Sequence, residues 1–341
     1  MNKVLIGLDI GNQYIKAAQV SRDKNKNTLL AAGYIATPMT AIALTGQNDT
    51  KLIADSINRL IHDMKVTTID VSASLPSSKV VTRVITIPEM KESELNGSLE
   101  WEAEQFIPWP LAKVKLDYSI IDHDANTKRM TVLLVAAPIS LIEKYMQIIS
   151  SAGLNLISLE TEILATARSI SNTFPQLSNI LVFSFGATTN EIAILHNQIM
   201  VYNKSYPLGG NTLTKAISEE LGFDILQAEE YKKTYGLDEN KLEGKIAKII
   251  NPFFTTIFSE IEKTVSYFKE HYPKEELTTI ILTGGAVKLP GLVLSVTKGL
   301  GLDSQIINPF ININVDEKIL PVITPDASLY TTSIGLSLKE V

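Results

Sequence analysis

Two copies of a strand–glycine–strand pattern constrain the fold of this chain more than any other sequence feature. The first copy reads VLIGLDIGNQYIKAAQV from Val4 to Val20, and the second reads NILVFSFGATTNEIAIL from Asn179 to Leu195. Gly186 of the second copy aligns with Gly11 of the first, about half a chain earlier. In both copies an apolar run leads into the glycine and another follows it, as in a β-hairpin. The repeat therefore predicts two equivalent glycine hairpins.

The two copies differ at one chemically important position. Asp9 stands just before the first glycine turn, and Ser184 stands at the matching place in the second copy. A strand followed by a tight glycine turn directs backbone N–H groups outward, where they can bind phosphate oxygens. Asp9 can hold Mg²⁺ through water, and Gln13 and Lys16 can add polar contacts. Taken alone, each copy is more typical of a plain hairpin than of a binding site.

Two glycine pairs later in the chain carry the same kind of signal. PLGGNT, from Pro207 to Thr212, precedes a predicted helix whose first N–H groups and dipole favour anions. LTGGAV, from Leu282 to Val287, ends an apolar strand, and its glycines let a ring or a phosphate approach the backbone closely. Each pair is also compatible with a tight turn between a strand and a helix. The order of all four glycine motifs is what favours a binding function.

Composition and charge exclude several functional classes. The 341 residues are 45% hydrophobic, which is enough for a large buried core and exceeds one ordinary domain. The net charge of −6 and the dispersed basic residues give no stripe for nucleic acid. The lack of cysteine excludes disulfides and thiolate chemistry, and the four scattered histidines indicate no zinc site. With no run of roughly 20 apolar residues, the sequence predicts a cytoplasmic protein without direct membrane insertion.

The rhythm of the predicted elements changes in the first half of the chain. Residues up to about 76 read as three strands, a loop from Pro38 to Thr50, a helix and a strand. Residues 77–156 read as strand, helix, two strands and helix, which predicts a small inserted α+β module. Ser93 is predicted to cap the first helix of this module, and a long helix is predicted later, from Asn251 to Phe268. The apolar stripe of the module's first helix consists of Leu95, Leu99, Ala103 and Phe106.

The order of these motifs resembles the actin-like ATPase fold, which actin, sugar kinases, chaperone ATPases and the bacterial division protein FtsA share. Within that superfamily the chain resembles the PilM family of type IV pilus assembly proteins over essentially its whole length. The segments that carry the resemblance are GLDIGNQYIK, EAEQFIPWP, VLLVAAP, SSAGL, QAEEYKKTYG and ILTGGAVKLPGL. The resemblance implies an α/β, actin-like (ribonuclease H-like) duplicated fold with an inserted α+β subdomain, as in FtsA.

The resemblance further implies four subdomains and a cofactor. The implied boundaries are 1–76 with 330–341 for core subdomain 1A, 77–156 for the inserted subdomain 1C, 157–211 with 251–329 for core subdomain 2A, and 212–250 for subdomain 2B. ATP with Mg²⁺ is expected in a cleft that both hairpins line.

A membrane partner is implied as well. PilM proteins bind the short cytoplasmic N-terminal peptide of the inner-membrane protein PilN, in a groove between the first core subdomain and the insert. The chain is therefore expected to be cytoplasmic and peripheral to the inner membrane through its partners, with other pilus platform proteins and copies of itself as further contacts. Nucleotide state is expected to modulate this assembly. Trp101, Phe106 and Trp109 of the insert belong either to a local core or to the border of the peptide groove.

The family's site residues carry over onto matching positions of this chain. The implied nucleotide contacts are Asp9, Gly11, Asn12, Gln13, Tyr14 and Lys16 in the first hairpin, Gly186, Ala187, Thr188 and Thr189 in the second, Gly209, Gly210 and Asn211 at the helix start, Glu229 and Lys232 on the adenosine-side helix, Gly284, Gly285 and Ala286 in the adenosine loop, and Lys263 as a weaker ribose candidate. Asp9 is also the implied metal ligand. The alternative for Glu229 and Lys232 is an ordinary exposed helix pair, and for Lys263 a surface lysine.

Ser184 bears on whether ATP is hydrolysed. The family's second hairpin usually begins Asp-Ile-Gly, whereas this chain has Ser184, Phe185 and Gly186. Serine keeps a hydrogen-bond donor and acceptor but loses the charge that helps hold the metal and order the attacking water. No catalytic residue is assigned, and ATP hydrolysis is expected to be slow or absent. The alternatives are an FtsA-like division protein and a degenerate scaffold that binds no nucleotide.

Overall fold

The chain folds into two compact units. The computed structural model describes residues 3–23, 26–38 and 47–340. One unit comprises Met1–Thr166, Val201–Asn203 and Thr332–Val341, and the other comprises Ala167–Met200 and Lys204–Thr331. The loop predicted from Pro38 to Thr50 lies mostly outside the described residues.

The first unit contains two sheets. Its strands are β1 (Lys3–Ile10), β2 (Tyr14–Asp23), β3 (Lys26–Ala36), β4 (Asp70–Leu75), β5 (Val81–Pro88), β6 (Val114–Asp124), β7 (Arg129–Pro138) and β8 (Asn155–Thr161), and its helices are α1 (Gln47–Met64), α2 (Glu92–Glu104) and α3 (Ile139–Ser151). The larger sheet has the order β3-β2-β1-β4-β8. Neighbours among β1, β2 and β3 are antiparallel, while β4 is parallel to both β1 and β8.

One face of the larger sheet is covered by α1 and α3. Ile53 and Ile57 of α1 and Tyr145 and Ile148 of α3 are buried in one cluster with the apolar residues of β1 and β4. These helical residues recur at a spacing of three or four, so each helix presents one apolar face to the sheet. The first glycine turn, between β1 and β2, lies at the end of strands that this core holds in place.

The smaller sheet, with the order β5-β7-β6, shares one apolar cluster with α2. These elements are the strand, helix and two strands of the predicted α+β module. The second helix predicted for that module, α3, packs instead in the core of the larger sheet, so the prediction was wrong for this element. Leu95, Leu99 and Ala103 are buried against the sheet, which confirms the predicted apolar stripe at those positions. The predicted cap at Ser93 is wrong. The backbone is extended at Lys91, which occupies the N-cap position without a side-chain cap bond, so Ser93 already lies inside the helix.

The second unit repeats the design of the larger sheet. The chain continues with α4 (Glu162–Thr173), β9 (Asn179–Phe185), β10 (Asn190–His196), β11 (Ile199–Tyr206), α5 (Gly210–Leu221), α6 (Ile225–Tyr235), α7 (Lys245–His271), β12 (Thr279–Thr283), α8 (Leu292–Leu300), β13 (Asp303–Ile306), α9 (Leu320–Ile323) and α10 (Thr331–Ser337). The start of α4 and nearly all of α10 belong to the first unit. The sheet order is β11-β10-β9-β12-β13, with β9 antiparallel to β10 and parallel to β12. This matches the larger sheet of the first unit strand for strand and confirms the predicted duplication.

The long helix α7 differs from its prediction at both ends. It runs from Lys245 to His271 and includes Pro252, instead of starting at Asn251. Proline removes one backbone hydrogen bond from a helix interior, which is why the sequence favours a later start. Buried Ile246 and Ile250 continue the apolar face upstream, so packing extends the helix across the proline. In the part of the chain that the structure describes, the helices lack the length or apolar content needed to span a bilayer.

Candidate functional site

The first glycine turn is held by the end of β3. The N–H of Gly11 donates to the carbonyl oxygen of Tyr14 at 3.1 Å and closes the turn. The hydroxyl of Thr37 donates to the carbonyl oxygen of Gly11 at 2.6 Å, and the N–H of Thr37 donates to that of Gln13 at 3.0 Å. A single residue after β3 therefore fixes the turn from outside the hairpin.

Asp9 lies at the end of β1 with both carboxylate oxygens bound. Asp9 is buried, with only 3% of its surface exposed. Lys16, directly opposite on β2, places its ammonium 2.5 Å from Oδ2, and the hydroxyl of Ser74 donates to Oδ1 at 3.1 Å. A buried carboxylate needs such partners, because transfer from water without compensation is costly. Asp9 and Lys16, both predicted site residues, are thus brought into direct contact.

The second glycine turn is held by the start of α5. The N–H of Gly186 donates to the carbonyl oxygen of Thr189 at 2.9 Å. The N–H of Gly210 donates to the carbonyl oxygen of Gly186 at 2.9 Å, and that of Asn211 donates to Ala187 at 2.8 Å. The first two N–H groups of α5 therefore donate to carbonyl oxygens of the hairpin.

Two glycines of the second unit permit close backbone approaches at this turn. A Cβ added to Gly209 would lie 2.5 Å from the carbonyl oxygen of Ala187. Gly284 has a φ of +97°, and a Cβ there would lie 2.6 Å from the carbonyl oxygen of Phe185. Distances below 3.0 Å leave no room for a side chain at either position. The helix start and the glycine pair after β12 thus both pack directly on the second hairpin.

Lys232 on α6 ties the start of α5 in place. Its ammonium donates to the carbonyl oxygen of Gly210 at 3.0 Å, to the hydroxyl of Thr214 at 2.9 Å and to the carboxylate of Glu229 at 2.6 Å. An ammonium has three donors, and these acceptors match that number. Lys232 is 7% exposed, so this is not an ordinary exposed helix pair. Burial acts to raise the pKa of Glu229, but the hydrogen bonds from Lys232 and Thr214 outweigh burial and lower that pKa.

Lys263 belongs to a more exposed cluster between α7 and the end of β11. Its ammonium lies 2.5 Å from Glu260 Oε1, and its side chain is 66% exposed. The other carboxylate oxygen of Glu260 accepts the hydroxyl of Tyr206 at 2.6 Å, and Lys204 lies 3.6 Å away. The hydrogen bonds from Lys263 and Tyr206 lower the pKa of Glu260 to about 2. Lys263 is therefore held by a neighbouring carboxylate at the surface.

The aromatic residues of the inserted module divide into two groups. Phe106 and Trp109 pack against the core of the module, and the guanidinium of Arg83 lies 4.5 Å from the centre of the Phe106 ring. Trp101, on α2, is 64% exposed. Phe106 and Trp109 thus belong to the local core of the module. Among these three aromatic residues, only Trp101 presents a large apolar surface to solvent.

Comparison with known proteins identifies the family. The family model described as type IV pilus assembly protein PilM matches residues 7–341 of this chain. The chain belongs to the PilM family. A chain in the solved structure of a PilM-PilN type IV pilus biogenesis complex superposes with a TM-score of 0.86 at 24% identity, covering 98% of this chain and 97% of that one.

More distant matches agree with the predicted actin-like fold of this PilM-family chain. Cell division protein FtsA of Neisseria meningitidis is 25% identical over 174 residues, which are 45% of this chain and 42% of that protein, so less than half of each is aligned. MreB 5 of Spiroplasma citri, solved bound to AMPPNP, superposes with a TM-score of 0.53 at 14% identity over 98% of this chain and 94% of that one. The actin-like duplicated fold is thereby confirmed.

Sequence reasoning missed one residue of the second hairpin in this PilM-family chain. Glu191 lies directly opposite Ser184, as Lys16 lies opposite Asp9 in the first hairpin. Glu191 is buried. The signal was present in the sequence, because the alignment of Gly186 with Gly11 also aligns Glu191 with Lys16.

Proposed function

We propose that this type IV pilus assembly protein binds ATP through its glycine motifs. The observation that carries the proposal is the meeting of three separate motifs within the second unit. The second hairpin, the start of α5 and the glycine pair after β12 lie within hydrogen-bond or van der Waals distance of one another. Glycines without a Cβ let a phosphate or a flat base approach the backbone closely. That MreB 5, which shares the fold, was solved with AMPPNP supports the same proposal.

Mg²⁺ is the metal that suits the donors of this chain. It retains several waters and takes one or two carboxylates together with phosphate oxygens. Asp9 supplies a buried carboxylate beside the first glycine turn, and Lys16 and Ser74 bind its two oxygens. We therefore propose that Asp9 acts on Mg²⁺ through water. Bound Mg²⁺ would neutralise phosphate charge, and the serine at position 184 leads us to propose slow or absent ATP hydrolysis.

Calorimetric titration with ATP and MgCl₂ tests this proposal. We expect saturable binding by the wild type and a loss of at least tenfold in affinity in Asp9→Ala. Lys215→Ala is the matched control, because Lys215 is exposed on α5 and pairs only with Glu219 among the ion pairs described. Absence of binding by a wild type that circular dichroism shows to be folded would overturn the proposal and favour the degenerate scaffold.

We further propose that the inserted module helps to bind the N-terminal cytoplasmic peptide of a PilN-like inner-membrane protein. Membership of the PilM family and the likeness to a chain from a PilM-PilN complex support this partner. Trp101 is the anchor we propose, since large aromatic side chains dominate many peptide interfaces and this one is exposed. The chain would then be cytoplasmic and reach the membrane through this partner, and contacts with other platform proteins or itself would follow.

Fluorescence anisotropy with a labelled PilN N-terminal peptide tests the partner proposal. Trp101→Ala is expected to weaken binding at least tenfold. Val322→Ala, which removes an exposed apolar side chain from the second unit, is expected to leave binding unchanged. Equal affinity of wild type and Trp101→Ala would remove Trp101 from the interface, and no binding by the wild type would remove the partner.

A further inference from the structure

The two glycine hairpins occupy equivalent places in equivalent sheets. β1 lies between β4 and β2, and β9 lies between β12 and β10. β1 is parallel to β4 and antiparallel to β2, and β9 is parallel to β12 and antiparallel to β10. Residues of the two hairpins can therefore be matched by strand register as well as by sequence.

Each sheet carries a short row of polar side chains beside its glycine turn. Across β4, β1 and β2 the row consists of Ser74, Asp9 and Lys16. Across β12, β9 and β10 the row consists of Thr283, Ser184 and Glu191. The first row is hydroxyl, carboxylate, ammonium, and the second is hydroxyl, hydroxyl, carboxylate. The second hairpin therefore still contains an acidic residue, because Glu191 lies on β10, next to Ser184 on β9.

Strand register places this carboxylate on the same face as the position that lost one. Side chains directly opposite each other on neighbouring strands share a face of the sheet. The ion pair between Lys16 and Asp9 shows this in the first hairpin. By the same register Glu191 shares a face with Ser184, and it is 6% exposed. Because Glu191 is buried, its strand restricts the position of its carboxylate.

We propose that Glu191 is the carboxylate through which the second hairpin acts on the Mg²⁺ of a bound nucleotide. The inference rests on the proposed nucleotide binding. Glu191 follows the Ala187–Thr189 turn closely on β10, so a phosphate on that turn would bring its cation near this strand. One carboxylate with phosphate oxygens and water is a donor set that Mg²⁺ accepts. In the first row the ammonium of Lys16 stands beside Asp9, whereas the three members of the second row are two hydroxyls and one carboxylate.

Binding of AMPPNP by calorimetry, in MgCl₂ and in EDTA, tests this inference. In the wild type, Mg²⁺ is expected to tighten AMPPNP binding at least tenfold. In Glu191→Gln that ratio is expected to fall below about threefold, while affinity in EDTA is maintained or improves. Glu219→Gln is the control, since Glu219 is exposed on α5 and forms an ion pair with Lys215. Its Mg²⁺ response is expected to match that of the wild type.

A second variant protects the test against misfolding. Ser184→Asp in the Glu191→Gln background returns a carboxylate to the same face from the opposite strand, and it is expected to restore the Mg²⁺ response. An unchanged Mg²⁺ response in folded Glu191→Gln would overturn the assignment of Glu191 while leaving nucleotide binding intact. A wild type that binds AMPPNP equally with and without Mg²⁺ would also overturn it. A wild type that binds no nucleotide would overturn the proposed function itself.

Discussion

The two glycine hairpins share strand register but are held in different ways. The first turn is fixed by Thr37, which follows β3 and donates to Gly11 and Gln13. The second turn is fixed by backbone N–H groups of α5, from Gly210 and Asn211. A movement of α5 would therefore move the second turn, whereas the first depends on one side chain and its own sheet. Equivalent sequence patterns can thus depend on very different surroundings.

The second turn also depends on a buried cation, and this gives the largest expected effect. Lys232→Met removes the ammonium that donates to Gly210, Thr214 and Glu229. The carboxylate of Glu229 then loses its ion pair with Lys232. Breaking a buried ion pair in this way is expected to lower the free energy of unfolding by about 3 kcal/mol. Urea denaturation measures the loss. Lys233→Met, on the same helix but half exposed, is expected to change stability by less than about 0.5 kcal/mol. Equal losses in the two variants would show that Lys232 does not hold the turn.

Gly209→Ala is expected to disturb the second hairpin without touching the first. The added Cβ would meet the carbonyl oxygen of Ala187 at 2.5 Å, and its other near neighbours are the backbone carbonyl carbons of Ala187 and Thr188. Overpacking of this kind costs about 2 kcal/mol of unfolding free energy. Gly97→Ala on α2 is the control, because a Cβ there meets nothing within 4 Å and alanine favours a helix by about 1 kcal/mol. Thermal and urea unfolding of the pair should therefore shift in opposite directions.

Thr37→Val tests the first hairpin alone. The substitution keeps the shape of the side chain but removes the hydroxyl that donates to Gly11 at 2.6 Å. Loss of one such bond, with a carbonyl left unsatisfied, is expected to cost about 1 kcal/mol. Thr297→Val, on an exposed position of α8, should be nearly neutral. If Thr37→Val were equally neutral, the turn would be held by its backbone bonds alone.

The smallest expected effect concerns acid stability near the end of β11. The pKa of Glu260 is lowered to about 2 by its bonds to Lys263 and Tyr206, so its folded pKa lies below the ordinary value of an unfolded chain. The stabilisation is therefore complete above the unfolded pKa and is lost as pH falls through the folded pKa. The stability difference between wild type and Glu260→Gln should shrink from pH 6 to pH 3. Because the cluster is partly exposed, 0.5 M NaCl should reduce the difference at pH 6. A difference independent of pH would assign the effect to packing.

Local patterns in the sequence were enough to define the elements and the motifs. The repeat around Gly11 and Gly186 predicted two equivalent hairpins, and the sheets have matching strand orders. The apolar stripe of α2 was correct for Leu95, Leu99 and Ala103, because helical spacing is a property of neighbouring residues, whereas Phe106 lies after the helix ends at Glu104. The prediction failed at Ser93, because the helix begins earlier with Lys91 at its N-cap. It also failed at Pro252, where the buried Ile246 and Ile250 extend the helix across the proline.

What only the tertiary structure decided is how distant segments share their polar groups. Lys232 donates to Gly210 and Thr214, the N–H groups of Gly210 and Asn211 donate to the second turn, and the hydroxyl of Thr37 donates to the first turn. Each of these bonds joins residues that are far apart in sequence. No local pattern encodes such bonds, because each depends on where the core places a helix or a strand end. The sequence by itself determined that there are two glycine hairpins, one with Asp9 and one with Ser184 before the glycine, and the packing of each unit decided what holds each turn.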